Sequence, residues 1–362
     1  MAKIAVLGSG VMGTALTFPL ADNGHDVRLV GTHLDRQIID SILDTGVHPG
    51  LARTVPASVR AYQLEGAEEA FAGADVAMSG VNSFGVHWAG EQFRSLLEPG
   101  MHVLAIAKGM EAQDNGDLRI LPDVLADELP GGLRDGVSWS AIVGPSIAGE
   151  LAARRHTSVV FAGHDTTALD ALAAMFRTSY YHVWTSTDLF GAEVCAALKN
   201  CYALSVGLAE GALQAIGEGD SPDRNHNFEA AVFGQGSVEI RRMLEVLGGR
   251  AETLHGLPGV GDMYVTSAGG RNIRLGRHMG AGLTFSDAVE AVTPPGETMT
   301  FEGAAAIRVI GSALTKLTER GLLQPEDLPL LRHLYEIIAL ERPLAIPWSA
   351  FFGGEQGPTR AP

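Results

Sequence analysis

The stretch Ile4-Ala5-Val6-Leu7-Gly8-Ser9-Gly10-Val11-Met12-Gly13 places an apolar run directly before the pattern Gly-x-Gly-x-x-Gly. We interpret Ile4–Leu7 as a first β-strand and the residues from Val11 onward as the helix that follows it. In such a unit the first glycine allows a tight turn, the second lets a pyrophosphate approach the backbone, and the third lets the helix pack on the sheet. The stretch therefore predicts a dinucleotide site, with the pyrophosphate at the helix N-terminus. Its members are Gly8, Ser9, Gly10, Val11, Met12 and Gly13.

Apolar runs and helical patterns alternate through the first half of the chain, which predicts βαβ units and a parallel sheet. The predicted strands are Ile4–Leu7, Val27–Val30, Val76–Ser79, Val103–Ala107, Ser140–Val143 and Ser158–Phe161. Predicted helices include Val11–Asn23, Asp35–Leu43, Ala67–Ala72 and Ala168–Arg177.

Long apolar-periodic helices dominate from Gly191 onward, and no strand pattern follows. They are Ala192–Gly211, Phe228–Leu247, Phe285–Ala291, Thr300–Thr318 and Leu328–Leu340, with a polar loop expected at Gly217–Asn227. The predicted fold is an α/β, Rossmann-like, doubly wound N-terminal domain followed by an all-α C-terminal domain. We assign residues 1–188 to dinucleotide binding, residues 189–352 to substrate binding and catalysis, and residues 353–362 to a Gly/Pro-rich tail.

Composition limits the function classes. The 362 residues are 46% hydrophobic and 19% charged, as in a globular protein. A net charge of −16 disfavours nucleic acid and anionic membranes as partners. No run of about eighteen uncharged apolar residues occurs, so no stable membrane insertion is expected. Cys195 and Cys201 lie six apart in one predicted helix and cannot pair, which fits a reducing cytoplasm. No metal site is expected, because no metal-ligand spacing occurs.

The choice between NAD and NADP stays open in the sequence. The residue after the second strand usually reads the adenosine ribose, and here Val30 is followed by Gly31, Thr32 and His33. Thr32 is the candidate contact, since no acid stands at the strand end. Arg36 could serve a 2′-phosphate, but a solvated surface arginine is the simpler interpretation.

Polar residues follow two further strands, where doubly wound folds bind ligands. Lys108 comes after the strand that ends at Ala107. Gly144-Pro145-Ser146-Ile147-Ala148 comes after the strand that ends at Val143 and offers backbone N–H groups and a hydroxyl. The alternatives are that Lys108 is a solvated loop lysine and that Gly144–Ala148 is an ordinary turn.

Lys199-Asn200 interrupts an otherwise apolar helix. A lysine there is costly unless it pairs or reaches a polar cavity, and burial lowers the pKa of a lysine toward the range useful for proton transfer. The alternative is a lysine that extends to the helix surface. Asp262 could pair with Lys199. If the segment that contains Asp262 is helical, Thr266 lies on the same helix face as Asp262. Arg271-Asn272 could bind a phosphate.

Together these segments resemble the soluble NAD(P)-dependent glycerol-3-phosphate dehydrogenases. The resemblance runs from Gly8 to about Leu340, with its motifs in family order. They are G-x-G-x-x-G-T-A at Gly8–Ala15, A-K-G at Ala107–Gly109, G-P-S-x-A-x-E at Gly144–Glu150, A-L-K-N at Ala197–Asn200, G-x-G-D-x-x-x-T at Gly259–Thr266, R-N at Arg271-Asn272, and E-G at Glu302-Gly303.

The resemblance implies interconversion of dihydroxyacetone phosphate and sn-glycerol 3-phosphate with NAD or NADP, supplying glycerophospholipid synthesis. Lys199 would transfer the proton beside Asp262, while Lys108, Asn200 and Thr266 would orient the substrate. The implied substrate contacts are Lys108, Gly144, Ser146, Lys199, Asn200, Asp262, Arg271 and Asn272. The implied dinucleotide contacts are Gly8–Gly13, Lys108, Ala148, Arg271 and Glu302.

The chain also departs from the bacterial pattern of this family. Val11-Met12 replaces a polar or aromatic pair, Gly270 replaces Ser or Thr, and Thr45–Pro56 is longer. These departures concern the exact polyol phosphate, and the first alternative is a dehydrogenase of another phosphorylated polyol or of a 3-hydroxy acid. A second alternative, of a different class, is a non-catalytic NAD(P)-sensing protein. The presence of both Lys199 and Asp262 argues against the sensor. The apolar helices suggest a homodimer.

Overall fold

The computed structural model describes residues 1–219, 225–296 and 299–353. The chain divides into two compact units. The N-terminal unit contains residues 1–108 and 120–189, and the helical unit contains residues 109–119 and the chain from Phe190 onward. Residues 109–119, which the sequence interpretation placed within 1–188, thus group with the helical unit. Apart from Gly353, the predicted tail lies outside the described residues, as do residues 220–224 of the predicted loop.

Twelve strands occur in the described ranges. They are β1 (Lys3–Leu7), β2 (Asp26–Val30), β3 (Val47–His48), β4 (Arg53–Thr54), β5 (Arg60–Tyr62), β6 (Val76–Ser79), β7 (His102–Ala105), β8 (Met110–Ala112), β9 (Leu118–Ile120), β10 (Ser138–Val143), β11 (Thr157–Gly163) and β12 (Tyr181–Ser186). Eight of them form one sheet in the order β12-β11-β10-β7-β6-β1-β2-β5. The pairs β3-β4 and β8-β9 form two small separate sheets.

Sixteen α-helices occur in the same ranges. They are α1 (Val11–Ala15), α2 (Thr17–Asp22), α3 (Arg36–Thr45), α4 (Ala67–Phe71), α5 (Val86–Leu96), α6 (Leu121–Asp127), α7 (Gly131–Arg134), α8 (Ala148–Ala152), α9 (Thr166–Phe176), α10 (Leu189–Ala215), α11 (His226–Leu247), α12 (Asp262–Ser267), α13 (Arg271–Gly280), α14 (Phe285–Val292), α15 (Glu302–Glu319) and α16 (Pro329–Ala339). The predicted doubly wound unit is confirmed. The C-terminal unit, predicted to be all-α, is confirmed as helix-rich, but strand β8 groups with it.

One part of the parallel-sheet prediction is wrong. Strand β11, predicted as Ser158–Phe161, pairs antiparallel with β10, whereas β10 runs parallel to β7. For β11 to run parallel to β10, the connection between them would have to return along the whole length of β10, which is about 20 Å for six residues. Helix α8 has only five residues and is about 7.5 Å long. The chain therefore enters β11 from the edge at which β10 ends.

Alternate residues of the central strands supply two separate cores. Ile4 and Val6 of β1 belong to one buried cluster, whereas Ala5 and Leu7 belong to another. Successive side chains of a strand point to opposite faces, so both faces of this sheet are covered. The continuous apolar runs that marked the strands in the sequence follow from this double burial.

Glycines bring helix α13 against the backbone of α10. A Cβ at Gly276 would lie 2.3 Å from the carbonyl oxygen of Leu204, and one at Gly280 would lie 2.2 Å from that of Leu208. Only glycine permits this approach. The contact sets the register between the helix that carries Lys199 and the helix that begins at Arg271.

A buried carboxylate supports the start of α16. Glu239 of α11 accepts hydrogen bonds from the amide N–H groups of Leu330 and Leu331, at 2.7 and 2.9 Å. It also accepts from the Tyr202 hydroxyl at 2.9 Å and from Gln235 Nε2 at 2.8 Å. Burial raises the pKa of Glu239 to about 7, although these hydrogen bonds act to lower it. This carboxylate ties together three helices: α10, α11 and α16.

Candidate active site

The glycine-rich turn has the geometry that a dinucleotide requires. Gly8 has a φ of +114°, and a Cβ there would lie 2.7 Å from the carbonyl carbon of Gly80. A Cβ at Gly13 would lie 2.4 Å from the Gly8 carbonyl oxygen, whereas at Gly10 no atom lies within 4 Å. The first and third glycines therefore serve close packing, and Gly10 leaves open space in which a pyrophosphate can approach the backbone. The residues present fit a dinucleotide.

Two side chains hold the Ser9 peptide in this turn. The Ser9 N–H donates to Asp35 Oδ2 at 3.2 Å, and His48 Nε2 lies 2.8 Å from the Ser9 carbonyl oxygen. The Leu51 N–H donates to His48 Nδ1 at 3.0 Å, so the proton of the neutral ring is on Nε2. His48 is 1% exposed. The buried histidine thus connects the Thr45–Pro56 segment to the phosphate turn.

Sequence reasoning missed both residues. Asp35 lies five positions beyond β2, yet its Oδ2 also accepts from the Thr32 N–H and hydroxyl, both at 2.9 Å. The spacing Thr-x-x-Asp before a helix is the one signal that could have indicated this folded-back turn. No sequence signal marks His48. Arg36 forms an exposed ion pair with Glu65, as its surface interpretation anticipated.

Four predicted residues of the N-terminal unit follow the ends of strands β7 and β10. Lys108 follows β7, and its Nζ donates to the carbonyl oxygen of Gly144 at 3.1 Å. The Ser146 hydroxyl lies 3.9 Å from Met12 Sδ, next to the glycine-rich turn. Ala148 is the first residue of α8. The structure therefore brings Lys108, Gly144 and Ser146 to the sheet edge that carries the phosphate turn.

In the helical unit Lys199 and Asp262 form an ion pair between Nζ and Oδ1. The two residues are 5% and 1% exposed. Lys199 is thus held inside the helical unit, and the surface-lysine alternative is wrong. Burying two charges costs free energy, which good geometry and further hydrogen bonds must offset. Buried ionisable groups with a charged partner are common at functional sites, so this pair is a candidate for proton transfer.

A short π-helical turn, Leu257–Gly261, leads into α12 and places Asp262 at the first position of that helix. A Cβ at Gly259 would lie 2.1 Å from the Leu254 carbonyl oxygen, so the turn depends on a glycine. The Thr266 hydroxyl donates to the backbone carbonyl of Asp262 at 2.6 Å. Thr266 is therefore on the helix of Asp262, as predicted, but this bond joins its hydroxyl to the backbone rather than to the carboxylate.

Gly270 precedes α13 with a φ of +108°, which favours glycine. A residue with a side chain would be strained at this position, although the space around a Cβ is open. Arg271 is the first residue of α13 and is exposed, so its guanidinium is accessible to an anion. Asn272 Nδ2 donates to Asn200 Oδ1 at 3.4 Å. Asn272, one of the two residues predicted to bind the phosphate, therefore contacts Asn200, the residue beside Lys199.

Glu302 is the first residue of α15 and is partly exposed. The next amide, the N–H of Gly303, donates to Asn272 Oδ1 at 3.1 Å. Lys199, Asn200, Asp262, Asn272 and Glu302 thus belong to one connected region of the helical unit. The roles of these residues toward substrate and dinucleotide remain predictions.

Across the described part of the chain no group of three or more His, Cys, Asp and Glu side chains could hold a metal ion. Nor does any helix within residues 1–219, 225–296 and 299–353 have the length and apolarity to cross a membrane. Cys195 and Cys201 are both buried thiols.

Two family models match the chain. Residues 3–169 match the NAD-dependent glycerol-3-phosphate dehydrogenase N-terminus, and residues 188–346 match the corresponding C-terminus.

Named relatives and a solved structure agree with these matches. The chain is 33% identical over 287 residues to the NADP(+)-dependent glycerol-3-phosphate dehydrogenase of Archaeoglobus fulgidus, covering 79% of this chain and 82% of the relative. It is 32% identical to the glycerol-3-phosphate dehydrogenase [NAD(P)+] of Shouchella clausii, over 93% and 92% of the two chains. The crystal structure of glycerol-3-phosphate dehydrogenase from Coxiella burnetii has a TM-score of 0.76 at 26% identity, covering 96% of this chain and 97% of that one.

Proposed function

Because the chain belongs to the NAD-dependent glycerol-3-phosphate dehydrogenase family, we propose that it interconverts dihydroxyacetone phosphate and sn-glycerol 3-phosphate with NAD or NADP. The observation that carries this proposal is the buried ion pair of Lys199 and Asp262. It supplies one proton donor, oriented and shielded from water, which is what reduction of a carbonyl group requires.

The N-terminal unit would bind the dinucleotide through the glycine-rich turn, and the helical unit would carry the catalytic residues. When bound, the reduced nicotinamide supplies the hydride that reaches C2 of the substrate. Negative charge then grows on the C2 oxygen. Lys199 stabilises that charge and donates a proton from Nζ, and Asp262 keeps the ammonium group in place.

The phosphate of the substrate requires cationic partners, since the chain as a whole is acidic. Arg271 is exposed and can donate two parallel hydrogen bonds to a phosphate. Asn272 adds an amide donor. Lys108, Gly144 and Ser146 are the remaining substrate contacts that the family resemblance implies. Asn200 and Thr266 orient the reacting end of the substrate. Thr32, Ala148 and Glu302 complete the proposed dinucleotide contacts.

Initial rates test this function. Purified protein is assayed by loss of absorbance at the nicotinamide band with NADH and with NADPH. The substrates are dihydroxyacetone phosphate, unphosphorylated dihydroxyacetone, another ketose phosphate and a 3-oxo acid. We expect the highest kcat/KM with dihydroxyacetone phosphate. A higher kcat/KM with another ketose phosphate or with the 3-oxo acid would contradict the proposal, and so would binding of dinucleotide without any turnover.

We also propose a homodimer that acts in the cytoplasm and supplies glycerophospholipid synthesis. Exposed Ile216, Val238 and Trp348 in the helical unit support self-association. The buried thiols Cys195 and Cys201 fit a reducing compartment. Light scattering that gives a monomer mass at all concentrations would contradict the dimer. Growth of a deletion strain that is not improved by glycerol 3-phosphate would contradict the pathway role.

A further inference from the structure

The carboxylate of Asp35 lies between the ends of the first two strands of the sheet. Its Oδ2 accepts hydrogen bonds from the Ser9 N–H at 3.2 Å and from the Thr32 N–H at 2.9 Å. Ser9 belongs to the glycine-rich turn after β1, and Thr32 is the second residue after β2. Although Asp35 stands further along the sequence, its side chain therefore returns to the place where β2 ends.

A buried hydroxyl group holds this carboxylate in one orientation. The Thr32 hydroxyl donates to the same Oδ2 at 2.9 Å and accepts the Leu34 N–H at 3.2 Å. Thr32 is 8% exposed, whereas Asp35 is partly exposed. Across the part of the chain that the structure describes, the bonds to this carboxylate go to Oδ2 alone. Oδ1 therefore keeps its lone pairs for the hydroxyl groups of a ligand.

The end of the second strand is where a doubly wound fold places the adenosine ribose of a dinucleotide. In such folds an acid about 20 residues beyond the glycine motif accepts hydrogen bonds from the ribose of NAD, whereas an arginine accommodates the 2′-phosphate of NADP. Asp35 follows Gly13 at about this distance. Its contacts with Ser9 and Thr32 thus bring an acid to the ribose position, although no acid stands directly after β2.

The arginine next to Asp35 has its own acidic partner. Arg36 forms an ion pair with Glu65 on the surface of the N-terminal unit. A 2′-phosphate at the ribose position would thus meet the Asp35 carboxylate, while the neighbouring guanidinium is already engaged. Like charges placed close together oppose binding, so this arrangement favours a ribose that carries no phosphate.

We propose that Asp35 determines which dinucleotide binds: it accepts hydrogen bonds from the adenosine ribose of NAD and repels the 2′-phosphate of NADP. This inference deepens the proposed function, on which it rests for the role of the dinucleotide as hydride donor. Asp35 also holds the Ser9 peptide, so it has a second effect on binding. The two effects differ in their consequence. Loss of a turn contact weakens both dinucleotides, whereas loss of the ribose contact changes the ratio of their affinities.

Binding without substrate tests this assignment directly. NADH and NADPH are titrated against the full chain, and each Kd is read from nicotinamide fluorescence. Hydrogen bonds to a charged group change affinity by about 10- to 150-fold, so the Kd of NADPH should exceed that of NADH by at least about 10-fold. Asp35→Asn keeps the shape of the side chain and removes its charge. In this variant the two Kd values should converge to within about 3-fold.

Matched variants separate the ribose contact from general effects. Asp44→Asn removes an exposed charge from the same helix, α3, and should leave both Kd values unchanged. His48→Ala acts on the Ser9 carbonyl and should raise both Kd values by the same factor. As competitors of NADH, 5′-AMP should bind more tightly than adenosine 2′,5′-bisphosphate, because these fragments contain the adenosine end alone.

The proposal is wrong if the unchanged protein binds NADPH as tightly as NADH, or more tightly. It is also wrong if Asp35→Asn raises both Kd values by the same factor, since Asp35 would then only hold the turn. If this variant does not melt cooperatively, the preference of the unchanged protein and of the two adenosine fragments decides. None of these measurements depends on turnover. A chain that prefers NADH but does not reduce dihydroxyacetone phosphate would refute the proposed function alone.

Discussion

Lys199 and Asp262 form an ion pair although both side chains are almost completely removed from solvent. Removing one partner leaves the other charge buried without compensation, which typically costs about 3–5 kcal/mol. Lys199→Met should therefore lower the free energy of unfolding by roughly this amount in guanidinium denaturation. The Lys199→Met/Asp262→Leu double variant removes both charges and should recover most of the loss. Equal stability of the single and double variants would show that the two charges are not coupled.

Arg271 is expected to act on the phosphate group of the substrate. Hydrogen bonds to a charged group contribute about 1.5–3 kcal/mol, so Arg271→Ala should raise the KM for dihydroxyacetone phosphate by about 10- to 150-fold. The weak turnover of unphosphorylated dihydroxyacetone should change little. Arg274→Ala, one turn further along α13, is the matched control and should be nearly neutral. An equal loss of kcat/KM with both substrates would refute the proposed contact between Arg271 and the phosphate.

His48 should matter for dinucleotide affinity although it lies far from the glycine-rich turn in the sequence. His48→Ala leaves the buried Ser9 carbonyl and the partly buried Leu51 N–H without their observed partner. We expect the Kd for NADH and NADPH to rise by about 5- to 30-fold, equivalent to about 1–2 kcal/mol. His164→Ala alters an exposed histidine of the same unit and serves as the control. The bracing role would be wrong if the two variants bind dinucleotide equally well.

Glu239 predicts a pH dependence of stability. Burial raises its pKa in the folded chain to about 7, from an ordinary value of 4.5. The folded chain therefore holds this proton more tightly than the unfolded chain. The resulting stabilisation is complete below about pH 4.5, is lost as the pH rises through about 7, and amounts to about 3 kcal/mol.

Denaturation from pH 5 to pH 8 measures this effect. Glu239→Gln cannot ionise, so its free energy of unfolding should fall less steeply with pH than that of the unchanged protein. Glu245→Gln, on the exposed face of the same helix, should retain the full slope. Parallel curves for Glu239→Gln and the unchanged protein would contradict the assignment.

Local chemistry explains which parts of the fold the sequence could predict. The turn at Gly8–Gly13 and the strands on either side of it are set by residues close together in the chain. Lys199 could be singled out because a charge inside an apolar helix needs a partner, and Asp262 was the acid in a suitable motif. The ion pair between them is present in the structure.

Other features depend on contacts between distant residues. The antiparallel pairing of β11 follows from the short α8, and helix length is the least certain part of a sequence interpretation. The side chains of Asp35 and His48 contact Ser9 from distant positions in the chain. Such contacts leave no periodic pattern in the sequence. The hydrogen bond between the Gly303 N–H and Asn272 could not be predicted for the same reason. In the sequence, the adjacent Arg271 and Asn272 suggest two side chains that bind the same phosphate.

The central claim is that Lys199 supplies the proton for carbonyl reduction. The most direct test is the kcat of Lys199→Ala with dihydroxyacetone phosphate, measured together with the dinucleotide Kd. Loss of a general acid predicts a fall in kcat of about 10²- to 10⁴-fold with the Kd nearly unchanged. The Lys199→Ala/Asp262→Asn variant, which carries no buried charge at the pair, should show the same fall while folding normally. A kcat close to that of the unchanged protein in either variant would contradict the account.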